Sequence, residues 1–275
     1  MARELLTARL EWKSCISEPA QCYHFEFALE GVEEFSYLPG QFISAVAEDA
    51  AGKAQTRAYS MASAPNGNRF ELCVNRVEAG FFSNHLADLP EDDLLPVGGT
   101  IRVHGPHGHF TLREPLTDSI LVATGTGVAP MRAFLQSLFP EHGPDAGKDL
   151  SNGKNIWLVY GTRHESELYY RDEFEALARR FSHFHYLPTL SRAAEGWTGL
   201  RGYVQEHVAR IVEERAARLA PALLAPVADA EASEPEKNFD IYAYICGLNE
   251  MVTGVRAQLA GLGWDRKQIV FERYD

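Results

Sequence analysis

The chain of 275 residues is longer than one hydrophobic core usually supports, so two domains of about 100 to 150 residues each are expected. Its 45% hydrophobic and 23% charged content is that of an ordinary globular protein, and a formal charge of −12 argues against nucleic acid or an anionic membrane as a general partner. Four scattered cysteines with no CxxC pair support neither a zinc site nor a cysteine-ligated cluster, so no metal is expected and redox chemistry must use an organic cofactor.

The first residues, MARELLTARLEWKS, lack the apolar run of a signal peptide, and no stretch of 18 apolar residues occurs, so a cytoplasmic location is expected. Up to about residue 115, the segments 23–29, 42–47, 70–77 and 100–104 are short, rich in aromatic and β-branched residues, and separated by Gly, Pro, Asn and Asp. That spacing predicts a small antiparallel barrel. Within it, Arg57, Ala58, Tyr59 and Ser60 sit on a predicted strand, where Arg57 and Tyr59 share a face and can pair a phosphate and pack a flat ring. Taken alone, the tetrapeptide reads more simply as a surface arginine beside a half-buried tyrosine. Gly80, Phe81, Phe82 and Ser83 open a predicted short helix with Ser83 near its cap, offering amides to an anion. Gly105 to Gly108 are expected to form a turn.

After Pro115 strands alternate with helices: 120–123 precedes 131–138, 156–160 precedes 168–180, and 241–245 precedes 249–262. Alternation predicts a parallel sheet with right-handed crossovers, and the boundary is expected between 113 and 118. The stretch ILVATGTGVAPMRAFL at 120–135 reads as a buried strand followed by a loop of small residues. Gly125 and Gly127 are expected to permit positive φ and to let a ligand reach the backbone, with Pro130 in the first helical turn. A plain strand-to-helix turn is the alternative. Residues 141–154 read as a surface loop, and 212–238 as an amphipathic helix running into a mobile acidic insertion.

RAYS at 57–60, LCVNRV at 72–77, GFFSNHLADL at 80–89, HGPHGHF at 104–110, GTGVAPMRAFL at 125–135, ICGLNEM at 245–251 and the terminal FERYD stand in the order found in the ferredoxin–NADP reductase family. The chain resembles that family from Pro39 to its end. The resemblance implies two domains: an FAD-binding antiparallel β-barrel over 1–115, then an NADP(H)-binding α/β parallel-sheet (Rossmann-like) domain over 116–275. It implies that Arg57 pairs the FAD pyrophosphate, that Tyr59 packs on the isoalloxazine and that Ser60 hydrogen-bonds near flavin N5. Ala58, Cys73, Val74 and the amides of Gly80, Phe81, Phe82 and Ser83 would complete the flavin site. Thr124, Gly125, Thr126, Gly127 and Pro130 would cradle the NADP pyrophosphate, and Cys246 and Gly247 would lie beside the nicotinamide, followed by Leu248 and Met251 of the same motif.

Ser191 and Arg192, after the strand-like 183–190, match the family's readers of the 2′-phosphate. With Arg163, Arg201 and the adenine-stacking Tyr203 they favour NADPH over NADH. Glu272 and Tyr274 match a terminal Glu-x-Tyr. Glu272 is thereby expected in a hydrogen-bonded group with Ser60 and Cys246, and Tyr274 over the flavin face where nicotinamide lands; Ser60, Cys246, Glu272 and Tyr274 form the expected catalytic set. Three departures stand out. Asp275 adds carboxylates expected to disfavour reduced anionic flavin, Asn75 replaces a usual lysine, and only Glu78 and Ala79 separate Val77 from Gly80, leaving no aromatic for the FAD adenine. The expected activity is hydride transfer from NADPH to FAD, then single-electron transfer to a ferredoxin or flavodoxin. The alternatives are the reductase component of an NAD(P)H-dependent oxygenase system and a non-catalytic subunit retaining the fold.

Overall fold

The structure, a computed structural model, describes residues 5–49, 51–90, 99–223 and 239–274, so Asp275 and residues 224–238 of the expected insertion lie outside the described residues. The amino-terminal half contains β1 (Leu6–Ser17), β2 (Cys22–Leu29), β3 (Phe42–Glu48), β4 (Ala54–Ser60), β5 (Arg69–Asn75), the short helix α1 (Phe81–Ala87) and β6 (Thr100–His107). The strands are antiparallel in the order β4-β3-β6-β1-β2-β5. Met61 bridges Leu72, and the Ala62 N–H donates to the Glu71 carbonyl at 2.8 Å, so the end of β4 returns to β5 and the sheet closes as a barrel. Phe25, Phe27, Ile43, Phe70 and Leu72 fill its interior.

Sequence patterning missed β1. Its register shifts between Leu10 and Trp12 and again between Cys15 and Ser17, and each bulge interrupts the two-residue alternation that marks a strand. The expected turn at Gly105 to Gly108 is a correction of the opposite kind: β6 runs on to His107. Between the pairs Phe42–His107 and Ser44–His104, β6 carries one extra residue, and such a bulge accommodates Pro106, which has no N–H to give the ladder.

The second half contains β7 (Asp118–Thr124), α2 (Val128–Leu138), β8 (Ile156–Thr162), α3 (Arg171–Arg180), β9 (Phe184–Leu190), β10 (Leu200–Arg201), α4 (Val204–Leu223), β11 (Ile241–Leu248), α5 (Asn249–Gly261) and β12 (Ile269–Tyr274). The amphipathic segment expected from 212 is thus the later part of α4. All six strands are parallel, in the order β10-β9-β8-β7-β11-β12. Phe134, Leu135 and Phe174 of α2 and α3 cover one face, and Val204, Val208, Val252 and Val255 of α4 and α5 cover the other. Burial from both sides explains why Ile120, Leu121, Val122 and Ala123 are all apolar and fully inaccessible.

The chain builds outward from β7 to β8, β9 and β10, then returns to add β11 and β12 on the other side. Such a reversal leaves a crevice at the carboxyl ends of the two central strands, here β7 and β11. Cys22, Ala62, Cys73 and Phe110 of the barrel share one core with α2 and α3, so the barrel and the parallel sheet meet through buried side chains. Among the described residues no helix is long and apolar enough to cross a membrane, and no group of three or more His, Cys, Asp or Glu is placed to hold a metal ion.

Candidate functional site

At the carboxyl ends of the parallel strands lies a cleft of about 810 Å³. Among the residues expected to bind nucleotide, Thr124, Gly125, Thr126, Arg163, Ser191, Arg192, Tyr203, Gly247, Leu248, Met251 and Tyr274 line it. Gly125 has a φ of +54°, and a Cβ added there would meet nothing within 4 Å, so its backbone faces open space. The buried Tyr160 hydroxyl shares its one proton between the Gly125 carbonyl at 3.1 Å and the Glu167 carbonyl at 3.2 Å, tying the Gly125 carbonyl into the protein. Gly127 corrects the expectation of paired positive-φ glycines. Its φ is −59°, and an added Cβ would sit 2.3 Å from the Cys246 carbonyl oxygen, so its smallness lets α2 start against β11. Pro130 is buried as the third residue of α2, where its missing N–H costs no helical hydrogen bond.

Backbone bonds from Ser191 to Thr162 at 3.0 Å and from Arg192 to Arg163 at 2.9 Å hold the loop after β9 against the loop after β8. The cationic residues Arg163 and Arg192 thereby both line the cleft. Arg201 is not among the lining residues. Its guanidinium donates to the carbonyls of Ala193 at 3.2 Å, Ala194 at 2.9 Å and Trp197 at 2.9 Å, so it braces the loop that carries Ser191 and Arg192. Tyr203 stands beside the cleft with 67% of its surface exposed, open to a stacking partner.

Parallel register brings the far end of the chain to the same place, pairing Cys246 with Glu272 and Leu248 with Tyr274. Ser60, the last residue of β4, donates to Glu272 Oε2 at 2.9 Å across the two halves of the molecule. Burial pushes the Glu272 carboxyl above its ordinary value, and the hydrogen bond from Ser60 works against that rise. Burial and then the nearby Glu272 carboxylate push the Cys246 thiol well up, so it stays neutral; fully buried, it is not among the residues that line the cleft. The Tyr274 hydroxyl is buried near Ser60 and Cys246 without a well-formed hydrogen bond among the described residues.

On the barrel side, Arg57 is exposed and its guanidinium donates to the Thr56 carbonyl at 2.9 Å. Tyr59 is half-buried with its ring centroid 6.5 Å from that of Phe82, and burial pushes its phenol up to about 12. Ala58 lies exposed between them on the strand's other side. Gly80 caps α1, whose first-turn amides of Phe81, Phe82 and Ser83 have no intrahelical acceptor. The Ser83 hydroxyl accepts from the Val77 N–H at 3.0 Å and shapes the approach to the helix. The side chains of Cys73 and Val74 are buried in the two cores, which leaves their backbone to face a ligand. An exposed guanidinium, a phenol ring and the α1 amides together fit a pyrophosphate and a flat ring system, while the open backbone at Gly125 and the orphaned Tyr274 hydroxyl fit a second dinucleotide.

Two cleft residues escaped the sequence reading as a pair. The Tyr169 hydroxyl donates to Asn75 Oδ1 at 3.1 Å, joining α3's approach to β5 across 94 residues. Neither residue type marks such a partnership locally.

Residues 7–112 match the family model described as the oxidoreductase FAD-binding domain, and residues 121–257 the one described as the oxidoreductase NAD-binding domain. The chain is 39% identical over 245 residues to ferredoxin–NADP reductase B of Sorangium cellulosum, covering 88% of this chain and 86% of that protein. It is 26% identical over 245 residues to the anthranilate 1,2-dioxygenase electron transfer component of Acinetobacter baylyi, covering 89% of this chain and 60% of that protein. A ferredoxin NADP+ reductase from Neisseria gonorrhoeae, solved with bound FAD and NADP, superimposes with a TM-score of 0.70 at 21% identity over 98% of both chains, a likeness of fold.

Proposed function

The chain belongs to the ferredoxin–NADP reductase family of FAD- and NAD-binding oxidoreductases, and from that premise we propose that it takes hydride from NADPH and delivers single electrons to a ferredoxin or flavodoxin. One observation carries the reading. A single cleft is lined both by the cationic pair Arg163 and Arg192 with Ser191 and by Tyr274, whose hydroxyl neighbours Ser60 and Cys246.

In this reading Arg57, Tyr59, Ser60 and the α1 amides hold FAD, which when bound supplies the exchange between two-electron and one-electron chemistry. The backbone at Gly125 and Thr126 receives the NADP pyrophosphate, Arg163, Ser191 and Arg192 read its 2′-phosphate, and Tyr203 stacks on adenine. Small Cys246 and Gly247 leave room for nicotinamide once Tyr274 swings aside. Ser60 gives its proton to the bond with Glu272 Oε2 and so keeps its oxygen lone pairs directed elsewhere, a fixed orientation that costs nothing at the moment of reaction. The division at 115/116 and a cytoplasmic setting belong to the same proposal.

The Acinetobacter relative supports a second reading, a reductase serving an oxygenase, whose own length the chain covers only to 60%. Anaerobic reduction of the purified yellow protein by NADPH and by NADH, followed by transfer to ferredoxin, flavodoxin or a dioxygenase component, separates the two. Equal rates with both nucleotides would remove the 2′-phosphate assignment.

A further inference from the structure

We propose that Arg132 is a positioning residue for hydride transfer, clamping the nucleotide-cradling helix α2 to the flavin-side strand β5. Arg132 lies four residues into α2 from Val128, which directly follows the loop containing Gly125 and Thr126. Its side chain is only 11% exposed and makes contacts on both sides of the molecule. Towards the barrel, Nη1 donates to the Glu71 carboxylate of β5 and, at 2.9 Å, to the carbonyl of Ala62, two residues beyond Ser60. Towards the parallel sheet, Nε donates to Glu173 Oε2 of α3 at 2.7 Å.

A ring of contacts closes around these bonds. The guanidinium carbon lies 4.5 Å from the centroid of the Tyr170 ring. The Tyr170 hydroxyl is hydrogen-bonded to His24 Nδ1 at 2.8 Å, and His24 Nε2 approaches Glu71 to 3.4 Å. Tyr170 holds φ at +57°, a left-handed conformation that a bulky residue adopts only where its surroundings enforce it. An arginine suits the hub because its planar fork reaches two carboxylates and a carbonyl at once, whereas a lysine ammonium is a point charge.

The geometric consequence is that α2 cannot slide along its axis without breaking bonds to Ala62 and Glu71. The loop at its start and the Ser60 end of β4 are therefore held in one frame. Hydride transfer is sensitive to that frame, because a displacement of about 1 Å can cost about a hundredfold in rate. The inference rests on reading the cleft as the dinucleotide site.

The test is anaerobic stopped-flow reduction of the FAD-loaded enzyme at saturating NADPH, comparing the natural chain with Arg132→Lys and Glu173→Gln. Arg132→Lys should keep its flavin absorbance per chain and its NADPH dissociation constant within about threefold, yet reduce flavin about tenfold to a hundredfold more slowly. The long-wavelength absorbance that reports nicotinamide stacked on flavin should fall in parallel, a change that loss of stability alone would not produce. Glu173→Gln keeps the barrel-side bonds and should slow reduction less, which keeps the proposal exposed to refutation if Arg132→Lys does not fold. Natural rates and natural stacking absorbance in the folded variants would overturn the clamp. A natural chain that neither NADPH nor NADH reduces would instead overturn the functional reading, and the clamp with it.

Discussion

Ser60 and Glu272 are 212 residues apart in the chain and 2.9 Å apart in space. The hydroxyl donates to a carboxyl that burial pushes up, so it partly offsets the cost of holding that carboxyl ionised. Removing the donor removes the downward influence. In Ser60→Ala the Glu272 carboxyl should therefore protonate at higher pH, and the acid limb of NADPH-driven flavin reduction should move upward in pH. A pH profile of the reduction rate reads this directly, and an unmoved limb would detach Glu272 from the chemistry. Arg192 is a different kind of residue, exposed and valuable only to its ligand. Charge-assisted hydrogen bonds contribute about 1.5 to 3 kcal/mol, so Arg192→Ala should raise KM for NADPH by at least about tenfold and leave KM for NADH nearly unchanged. Steady-state kinetics with both nucleotides would show whether the discrimination lies there.

At the scale of elements, the site depends on how α2 meets β7 and β11. Gly125 and Gly127 look alike in sequence and act by unrelated physics. Gly125→Ala meets no atom within 4 Å and bears only the strain of a left-handed backbone, about 1 to 2 kcal/mol. Gly127→Ala places a Cβ 2.3 Å from the Cys246 carbonyl oxygen and 2.6 Å from its carbon, and backbone on both sides has nowhere to go. The second substitution should be the more destabilising by urea unfolding, at about 3 kcal/mol or more, and should also shed flavin or nucleotide binding as α2 shifts. A Gly127→Ala protein as stable as Gly125→Ala would contradict this account of the α2–β11 contact. Phe134 shows what α2 contributes besides: it packs 5.6 Å from Phe110 of the barrel side and 5.5 Å from Tyr244 of β11, spanning both halves.

For the whole molecule, the seam between barrel and parallel domain contains His24, which burial pulls down from 6.5 to about 4. Glu71 opposes that shift and Arg132 adds to it. A histidine depressed in the folded state contributes stability that is intact above about pH 6.5 and is lost as pH falls towards about 4. The expected loss across that window is about 3 kcal/mol, measurable by urea unfolding between about pH 7 and about pH 4. His24→Gln should flatten the dependence, and an identical slope in both chains would place the acid sensitivity elsewhere. By itself the sequence determined that a β-rich half precedes an α/β half: a buried parallel strand announces itself in the apolar run at 120–123, and the strand–helix alternation after it follows from local patterns. The GTGVAP and ICGLNEM strings, with Ser191, Arg192 and Tyr203, likewise pointed to part of the cleft lining. Bulged β1 and the strand through Gly105 and Pro106 were hidden, because each extra residue breaks the period on which a strand is recognised. Only the tertiary structure decided that Gly127 serves packing, that Arg201 braces a loop, that Asn75 meets Tyr169, and that Arg132 joins Glu71 to Glu173. Those facts are distances between segments far apart in the chain, and periodicity carries information only over the few residues that share a turn or a strand.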